Sequence, residues 1–281
     1  MKKIDTALDL QKELASERAR KKSVGFVPTM GALHQGHLEL VKRSAAENDV
    51  SVVSIFVNPT QFNDKNDLLK YPRTPDADCR LLEETVADSI VFVPAVEEIY
   101  PQPDTRQFAF GSLVTVMEGK FRPGHFNGVA QVVSRLFEIV APDKAYFGEK
   151  DFQQLAVIRE LVKQLNLPVQ IVACPIVREK SGLAMSSRNA RLTAVQREEA
   201  AIISQTLFES KRRKNNYPPE SLKTWVTDRI NAAPGFRIEY FDIVDGFTLQ
   251  SIQKWEDTEY PVGCVAVFAG EIRLIDNIVY G

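Results

Sequence analysis

Long apolar runs are missing from this 281-residue chain. Stretches such as Val50–Val57 fall far short of the roughly 20 residues that a bilayer span demands, so no membrane anchor is expected. The N-terminal MKKIDTALDL places Asp5 and Asp9 where a secretory signal would need an apolar stretch. Cysteines are few: Cys79, Cys174 and Cys264 are scattered and odd in number, with no CxxC or Cys/His pairing at metal spacing. A disulfide scaffold or zinc ribbon is therefore excluded as a reading, no protein-held metal is expected, and a reduced, cytoplasmic setting is. An excess of one charge is lacking too: 35 Lys+Arg stand against 37 Asp+Glu, which argues against a chain that wraps nucleic acid electrostatically. Neither low hydrophobicity nor a dearth of aromatics signals disorder, since 44% of residues are hydrophobic and 9% aromatic.

What is present is a chain long enough for one to two domains with a sizeable core. Up to residue 177, apolar strands alternate with helical patterns. Val24–Pro28, Ser51–Val57, Ser89–Val93, Ala145–Phe147 and Val169–Val177 read as strands. Helical stretches run through Leu38, Leu40 and Val41, and then Val129, Val132, Val133, Leu136, Phe137 and Val140 mark one apolar helix face. Leu155, Ile158, Val162 and Leu165 mark another. Alternating βα units predict an α/β fold, a Rossmann-like doubly wound parallel sheet, with ligands beyond the carboxyl ends of its strands. After residue 177, Ala194–Arg213 reads as a helix capped by Thr193 and Ser221–Ile230 as a second. Arg237–Val244, Val262–Phe268 and Ile272–Ile275 read as strands, giving a smaller C-terminal α+β domain. The expected division is 1–177 and 178–281. The basic cluster Lys211–Lys214 sits at a helix end, where cations suit the dipole and are solvated.

The chemistry concentrates in a few loop-like segments. Pro28-Thr29-Met30-Gly31-Ala32-Leu33-His34-Gln35-Gly36-His37 joins the first expected strand to the first helix. Gly31 and Gly36 permit close backbone approach, and a helix N-terminus offers N–H groups to an anion. His34 and His37 are three residues apart, so both rings project to one side of a first helical turn, where they could stabilise charge growing on phosphorus. A metal-binding pair would have the same spacing, but no third His or Cys is nearby. The arrangement strand–TMGALHxGH–helix resembles the HxGH phosphate-binding signature shared by nucleotidyltransferases and class I aminoacyl-tRNA synthetases.

Four further segments sharpen the resemblance: Asn58-Pro59-Thr60-Gln61-Phe62, Arg122-Pro123-Gly124-His125-Phe126-Asn127-Gly128-Val129, Phe147-Gly148-Glu149-Lys150-Asp151-Phe152-Gln153-Gln154 and Leu183-Ala184-Met185-Ser186-Ser187-Arg188-Asn189. With the first segment they resemble, in order and over essentially the whole chain, the pantoate–β-alanine ligase family. That resemblance implies ATP-dependent condensation of pantoate with β-alanine through an enzyme-bound pantoyl adenylate, giving pantothenate, AMP and pyrophosphate. It implies ATP binding by Met30, Gly31, Ala32, Leu33, His34, Gln35, Gly36, His37, Gly148, Glu149, Lys150, Asp151, Val177, Met185, Ser186, Ser187 and Arg188. His34, His37, Lys150 and Arg188 are the expected catalytic groups. Gln61 and Gln154 are expected on pantoate, where neutral amides add no negative charge beside ATP. Asn58 and Tyr71 are weaker candidates for the amine side, and Arg122 and His125 for the pocket wall or β-alanine's carboxylate. Asp151 is expected on ribose ahead of metal, although Lys150-Asp151 also reads as a helix-start ion pair. Mg²⁺ carried on ATP and a homodimer are implied as well.

Shielding a reactive anhydride calls for a mobile lid, with Pro175–Gly182 and the loop Asn63–Pro75 as candidates. Cys174, in an apolar strand, reads as packing. Ser181 departs from the Asp usual in the family before Gly182 and reads as a turn-shaping residue. Three other readings compete. A nucleotidyltransferase acting on a phosphate ester would want Arg or Lys where Gln61 and Gln154 stand. A tRNA synthetase would want a basic C-terminal surface, and a non-catalytic nucleotide module would have lost phosphate-binding side chains.

Overall fold

A computed structural model of the chain describes residues 1–63 and 65–281. These form two compact units. Met1–Phe110, Arg122–Glu149 and Val157–Pro175 make the first; Gly111–Phe121, Lys150–Ala156 and Ile176–Gly281 make the second.

In the first unit, strands β1 (Lys2–Ile4), β2 (Val24–Thr29), β3 (Val50–Ile55), β4 (Ile90–Phe92), β5 (Lys144–Gly148) and β6 (Gln170–Cys174) form one sheet in the order β1-β4-β3-β2-β5-β6. Every pairing is parallel, with Phe26 beside Val52 on one side and Ala145 on the other. The expected doubly wound sheet is therefore present. Val50–Ile55 is buried throughout, as a central parallel strand covered on both faces must be. The helices of the chain are α1 (Ala7–Ala19), α2 (Gln35–Glu47), α3 (Lys65–Lys70), α4 (Pro75–Thr85), α5 (Val96–Ile99), α6 (Met117–Phe121), α7 (His125–Val140), α8 (Phe152–Gln164), α9 (Ala194–Glu199), α10 (Ala201–Arg213) and α11 (Pro219–Asn231).

Neighbouring residues of a strand point to opposite faces. Val27 packs with Leu38 and Val41 of α2, while Phe26 meets Phe137 of α7 edge-on at 6.3 Å, so α2 and α7 cover opposite faces of the sheet. The far end of α2 is pinned to β5 by Glu47. Its carboxylate takes Arg43 Nε at 2.8 Å, the Tyr146 hydroxyl at 3.0 Å and Lys144 Nζ at 3.2 Å. The chain order reverses beside β2: β3 lies on one side of it and β5 on the other. This switch point puts a ligand crevice at the carboxyl ends of β2 and β5.

In the second unit, β7 (Phe236–Asp245), β8 (Pro261–Ala269) and β9 (Ile272–Val279) make an antiparallel sheet. Helices α10 and α11 bury Ile203, Leu207, Leu222, Val226 and Ile230 against it. Met117 and Phe152 join Val244, Leu249, Val262 and Cys264 in a second cluster, which ties Gly111–Phe121 and Lys150–Ala156 to the C-terminal sheet. Arg273 on β9 clasps Glu118 and Glu239, and the Tyr240 hydroxyl donates to Glu118 at 2.8 Å.

Several expected bounds are corrected. The strand expected over Val169–Val177 ends at Cys174, because Pro175 has no N–H for the ladder. The helix expected over Ala194–Arg213 is two helices. At Ala200 the ladder tightens, Ile203 N donating to Ala200 O one residue early. Thr193 caps the first of them in a reciprocal box with Gln196. The expected last strand, Ile272–Ile275, runs on to Val279. The loop expected over Asn63–Pro75 contains α3, and its Asp64 lies outside the described residues.

Three hydrogen bonds, from Arg43, Lys144 and Tyr146 in that order of weight, outweigh desolvation and hold Glu47 at about 2, against an ordinary 4.5. A lowered carboxyl stabilises the fold above its ordinary value, and that contribution fades as pH falls toward the folded one. Glu47→Gln is therefore expected to lower the midpoint of urea unfolding at pH 7, with the difference from the parent shrinking below pH 4.5 and vanishing near pH 2. A difference independent of pH would show that the charge is not what pins α2.

Candidate active site

The segment after β2 builds a compact turn. Thr29 Oγ1 donates to Ser54 O at 2.7 Å and accepts from Gly31 N at 3.2 Å. Gly31 (φ +76°) and Ala32 (φ +49°) are both left-handed. At Gly31 a Cβ would lie 3.0 Å from Asp78 Oδ2 and 3.1 Å from Ile55 Cγ2, so a larger residue is resisted by space as well as by φ. His34 is the N-cap of α2 and His37 its third residue. Their rings lie 4.0 Å apart, tilted by 35°. Gly36 N donates to His34 Nδ1 at 3.1 Å, and His34 N donates to His37 Nδ1 at 3.3 Å.

This reciprocal box has two consequences. Backbone N–H groups expected to await an anion are already used: those of His34 and Gly36 by the rings, and that of His37 by His34 O at 2.8 Å. Each Nδ1 must be unprotonated to accept, so the hydrogen-bond network assigns the ring proton to Nε2 in both residues.

After β3, Asn58 caps the short turn Pro59–Gln61. Asn58 is 1% exposed and spends its amide on protein: Nδ2 donates to Gln61 Oε1 at 3.1 Å and Gly128 O at 3.0 Å, while Oδ1 accepts the Tyr100 hydroxyl at 2.9 Å. With its carbonyl held by Asn58, buried Gln61 donates its NH₂ to Met30 Sδ at 3.0 Å. His125 is also committed. Arg122 Nη1 donates to its Nε2 at 3.2 Å, so Nδ1 carries the proton and donates to Gln61 O at 2.8 Å. Asn58 and His125 thus brace Gln61. Tyr71 is buried, its ring edge-on to Phe62 at 5.6 Å. Gly128, inside α7, lets that helix meet the turn. A Cβ there would stand 2.5 Å from Thr60 O, outweighing the roughly 1 kcal/mol that glycine costs a helix. Gly148 and Glu149 follow β5, beside the switch point.

The remaining expected residues belong to the second unit. Lys150 Nζ pairs with Asp151 Oδ2 at 3.0 Å, and Lys150 O accepts from Asn277 Nδ2 at 3.0 Å. The neighbouring Asp276 makes a bidentate pair with Arg178, 2.6 and 3.0 Å. Burial pushes the Asp276 carboxyl above the usual range, against the opposing pull of Arg178. Gln153 is buried and structural, donating to Leu113 O and Val116 O, whereas Gln154 is half-buried with no side-chain hydrogen bond among the described residues. Residues 177–185 double back on themselves. Met185 N donates to Val177 O at 3.0 Å, and Ser181 Oγ accepts from Leu183 N beside Gly182 at φ +98°. Ser181 thus shapes the turn, as expected. Ser186 caps the turn Ser187–Arg191, and buried Asn189 anchors it to Glu179 at 2.8 Å and Ala184 O at 3.1 Å.

Sequence reading missed Asp78, Tyr100, Gly128 as a contact, and the Asp276-Asn277 pair. Their partners are 42 to 127 residues away in sequence, so no local spacing marks them. For Asp78 one signal was present: it sits four residues before fully buried Leu82, on the face of α4 that should be apolar.

Two measurements check this geometry. With only three histidines, ¹⁵N-imidazole spectra near neutral pH should resolve two Nε2–H tautomers and one Nδ1–H tautomer; any other split breaks the assignment. Gly128→Ala should push the Pro59–Gln61 turn away, lowering stability by about 1–3 kcal/mol and, if Gln61 binds substrate as expected, raising the KM for pantoate about tenfold. Unchanged kinetics would free Gln61 from dependence on α7.

The pantoate-beta-alanine ligase family model matches residues 2–279. The pantothenate synthetase of Phocaeicola vulgatus is 65% identical, and that of Bacteroides thetaiotaomicron 63%, each alignment covering 100% of this chain and 99% of the relative. Among solved structures, pantothenate synthetase from Thermus thermophilus matches with a TM-score of 0.93 at 42% identity, over 100% of this chain and 99% of that one. Pantoate-beta-alanine ligase from Francisella tularensis, crystallised with beta-gamma ATP and beta-alanine, matches with a TM-score of 0.83 at 36% identity, over 100% and 98%. With the HxGH turn at the switch point of a doubly wound sheet and a match that spans both units, the chain belongs to the pantoate–β-alanine ligase family.

Proposed function

We propose that the chain condenses pantoate with β-alanine at the expense of ATP, in two steps with the following division of labour. A pantoate carboxylate oxygen attacks the α-phosphorus, the bond to the bridging oxygen breaks, and pyrophosphate leaves. The amine of β-alanine then attacks the acyl carbon of the pantoyl adenylate and AMP departs. The observation that carries this reading is the pair of imidazole rings, 4.0 Å apart, that His34 and His37 hold at the N-terminus of α2 beside the carboxyl end of β2. Donors aimed at phosphate oxygens strengthen as charge accumulates there.

Bringing a carboxylate to a polyanion also needs cations. Lys150, a compact point charge, and Arg188, a two-pronged donor, supply them, with the Ser186 and Ser187 hydroxyls beside Arg188 in sequence. Met30–Leu33, Gln35, Gly36, Gly148, Glu149 and Met185 frame the nucleotide. Val177 offers backbone atoms to adenine. Asp151 is assigned to ribose hydroxyls, with its Lys150 pairing an alternative engagement. Mg²⁺ travels with ATP. In this reading phosphate oxygens and water keep the ion. When bound, it would neutralise phosphate charge.

Gln61 and Gln154 are assigned to pantoate, Gln61 by exchanging its NH₂ contact with Met30 Sδ for an acceptor of the substrate. Asn58 and His125 act through Gln61. Tyr71 and Arg122 are assigned to the β-alanine side, Arg122 for its carboxylate. The proton shed by the β-alanine amine goes to His37 or to solvent, and the bond His37 Nδ1 accepts from His34 N favours solvent. Residues 1–177 are taken as the ATP- and pantoate-binding part and 178–281 as the lid. A homodimer and a cytoplasmic setting complete the reading. The family resemblance supports the first, and sedimentation checks it. Among the described residues no helix is long and apolar enough to cross a membrane.

Pyrophosphate release is expected to require pantoate, with AMP and pantothenate appearing only once β-alanine is added. Turnover with ribose-phosphate acceptors and none with pantoate would favour a nucleotidyltransferase instead. His37→Ala and Lys150→Ala should each slow pantoate-dependent ATP–pyrophosphate exchange by about 10²–10³ while still folding, His37→Ala with the modest loss of stability that removing a helix cap brings. Exchange at the parent rate would remove them from the catalytic set.

A further inference from the structure

We propose that Asp78 is a positioning residue for adenylate formation: its buried carboxylate clamps the turn that delivers His34 and His37. Asp78 is 3% exposed, on the first turns of α4. Its Oδ2 accepts from Ala32 N at 2.9 Å and its Oδ1 from Leu33 N at 2.8 Å, with Thr74 Oγ1 adding a third bond at 3.3 Å. Ala32 and Leu33 immediately precede His34, and Ala32 is a left-handed non-glycine residue. Such a backbone is disfavoured for a residue with a Cβ and persists only where its surroundings hold it there. Two charge-assisted bonds from one carboxylate, each gripping a successive N–H, are that hold.

An acidic residue near a helix N-terminus is ordinary dipole complementarity. Asp78 departs from that pattern, because its carboxylate reaches across to a turn 45 and 46 residues earlier. Burying a carboxylate is costly, and a fold that needed only the dipole could leave it in solvent. The packing around it is also specific to the turn, since Gly31 leaves room for Oδ2 that a Cβ would invade at 3.0 Å. Freed from the clamp, the turn would relax Ala32 toward a common φ. The N-cap of α2 would then shift, and with it the His34–His37 box that sets the Nε2–H donors.

The inference rests on the phosphate role proposed for His34 and His37. Its test is therefore run beside His34→Ala and His37→Ala. Asp78→Asn keeps the volume but sets an NH₂ against one of the two backbone donors; Asp78→Glu keeps the charge but moves it by a methylene. Three readouts are taken on each full-length protein: thermal unfolding, ATP–pyrophosphate exchange with pantoate, and ¹⁵N-imidazole spectra. Asp78→Asn is expected to fold, to lose on the order of 10²-fold in exchange kcat with a smaller change in KM for ATP, and to shift the His34 and His37 resonances while sparing His125. Asp78→Glu should recover part of both signals. Exchange at the parent rate, or loss of exchange with unmoved His34 and His37 resonances, overturns the proposal. Should Asp78→Asn not fold, Gly31→Ala decides, because its Cβ displaces the turn from an intact carboxylate: unmoved resonances there overturn it as well. If the histidine variants themselves keep full exchange, it is the phosphate reading that fails; if they lose it and folded Asp78→Asn does not, only the clamp fails.

Discussion

Everything at the carboxyl end of β2 hangs on two backbone N–H groups donating into two imidazole rings. Gly36 N and His34 N occupy the two Nδ1 positions, which leaves the ring proton to Nε2 in each residue. The arrangement fixes rotamer, tautomer and direction at once. It does so with atoms of the same helical turn, so α2 carries its own donors wherever the sheet puts its N-terminus. The sheet supplies the rest: strand order reverses beside β2, and the turn opens where no crossover helix covers the strand ends.

The same economy recurs around Gln61. Asn58, Tyr100, His125 and Gly128 all converge on one short turn, and each satisfies or admits a group of that turn instead of reaching outward. An amide can face a ligand either way round, and Asn58 removes the ambiguity by taking the carbonyl. The orientation of a neutral amide is set in this way by its buried neighbours.

Much of this was legible from residues. The strands β2, β3 and β5 are dense in apolar residues, and α7 has an unbroken apolar face, so periodicity alone finds them. By contrast β1 is only three residues, Lys2–Ile4, with two of them exposed, and owes its conformation to pairing with β4. No window that short carries a period. The split at Ala200 escaped notice because alanine is a strong helix former and neither glycine nor proline marks the break. At the site, the loop segments announced themselves by composition and order, but their bracing did not. Asp78 and Asn277 look like ordinary helix and strand residues until the fold brings them to Leu33 and Lys150.

The glycine in α7 has an evolutionary corollary. Where one backbone rests directly on another, no side chain intervenes that drift could lengthen, shorten or polarise. Descendants of this sequence that came to prefer a bulkier hydroxy acid would have to remodel a different wall, because the helix-to-turn seam has no adjustable part.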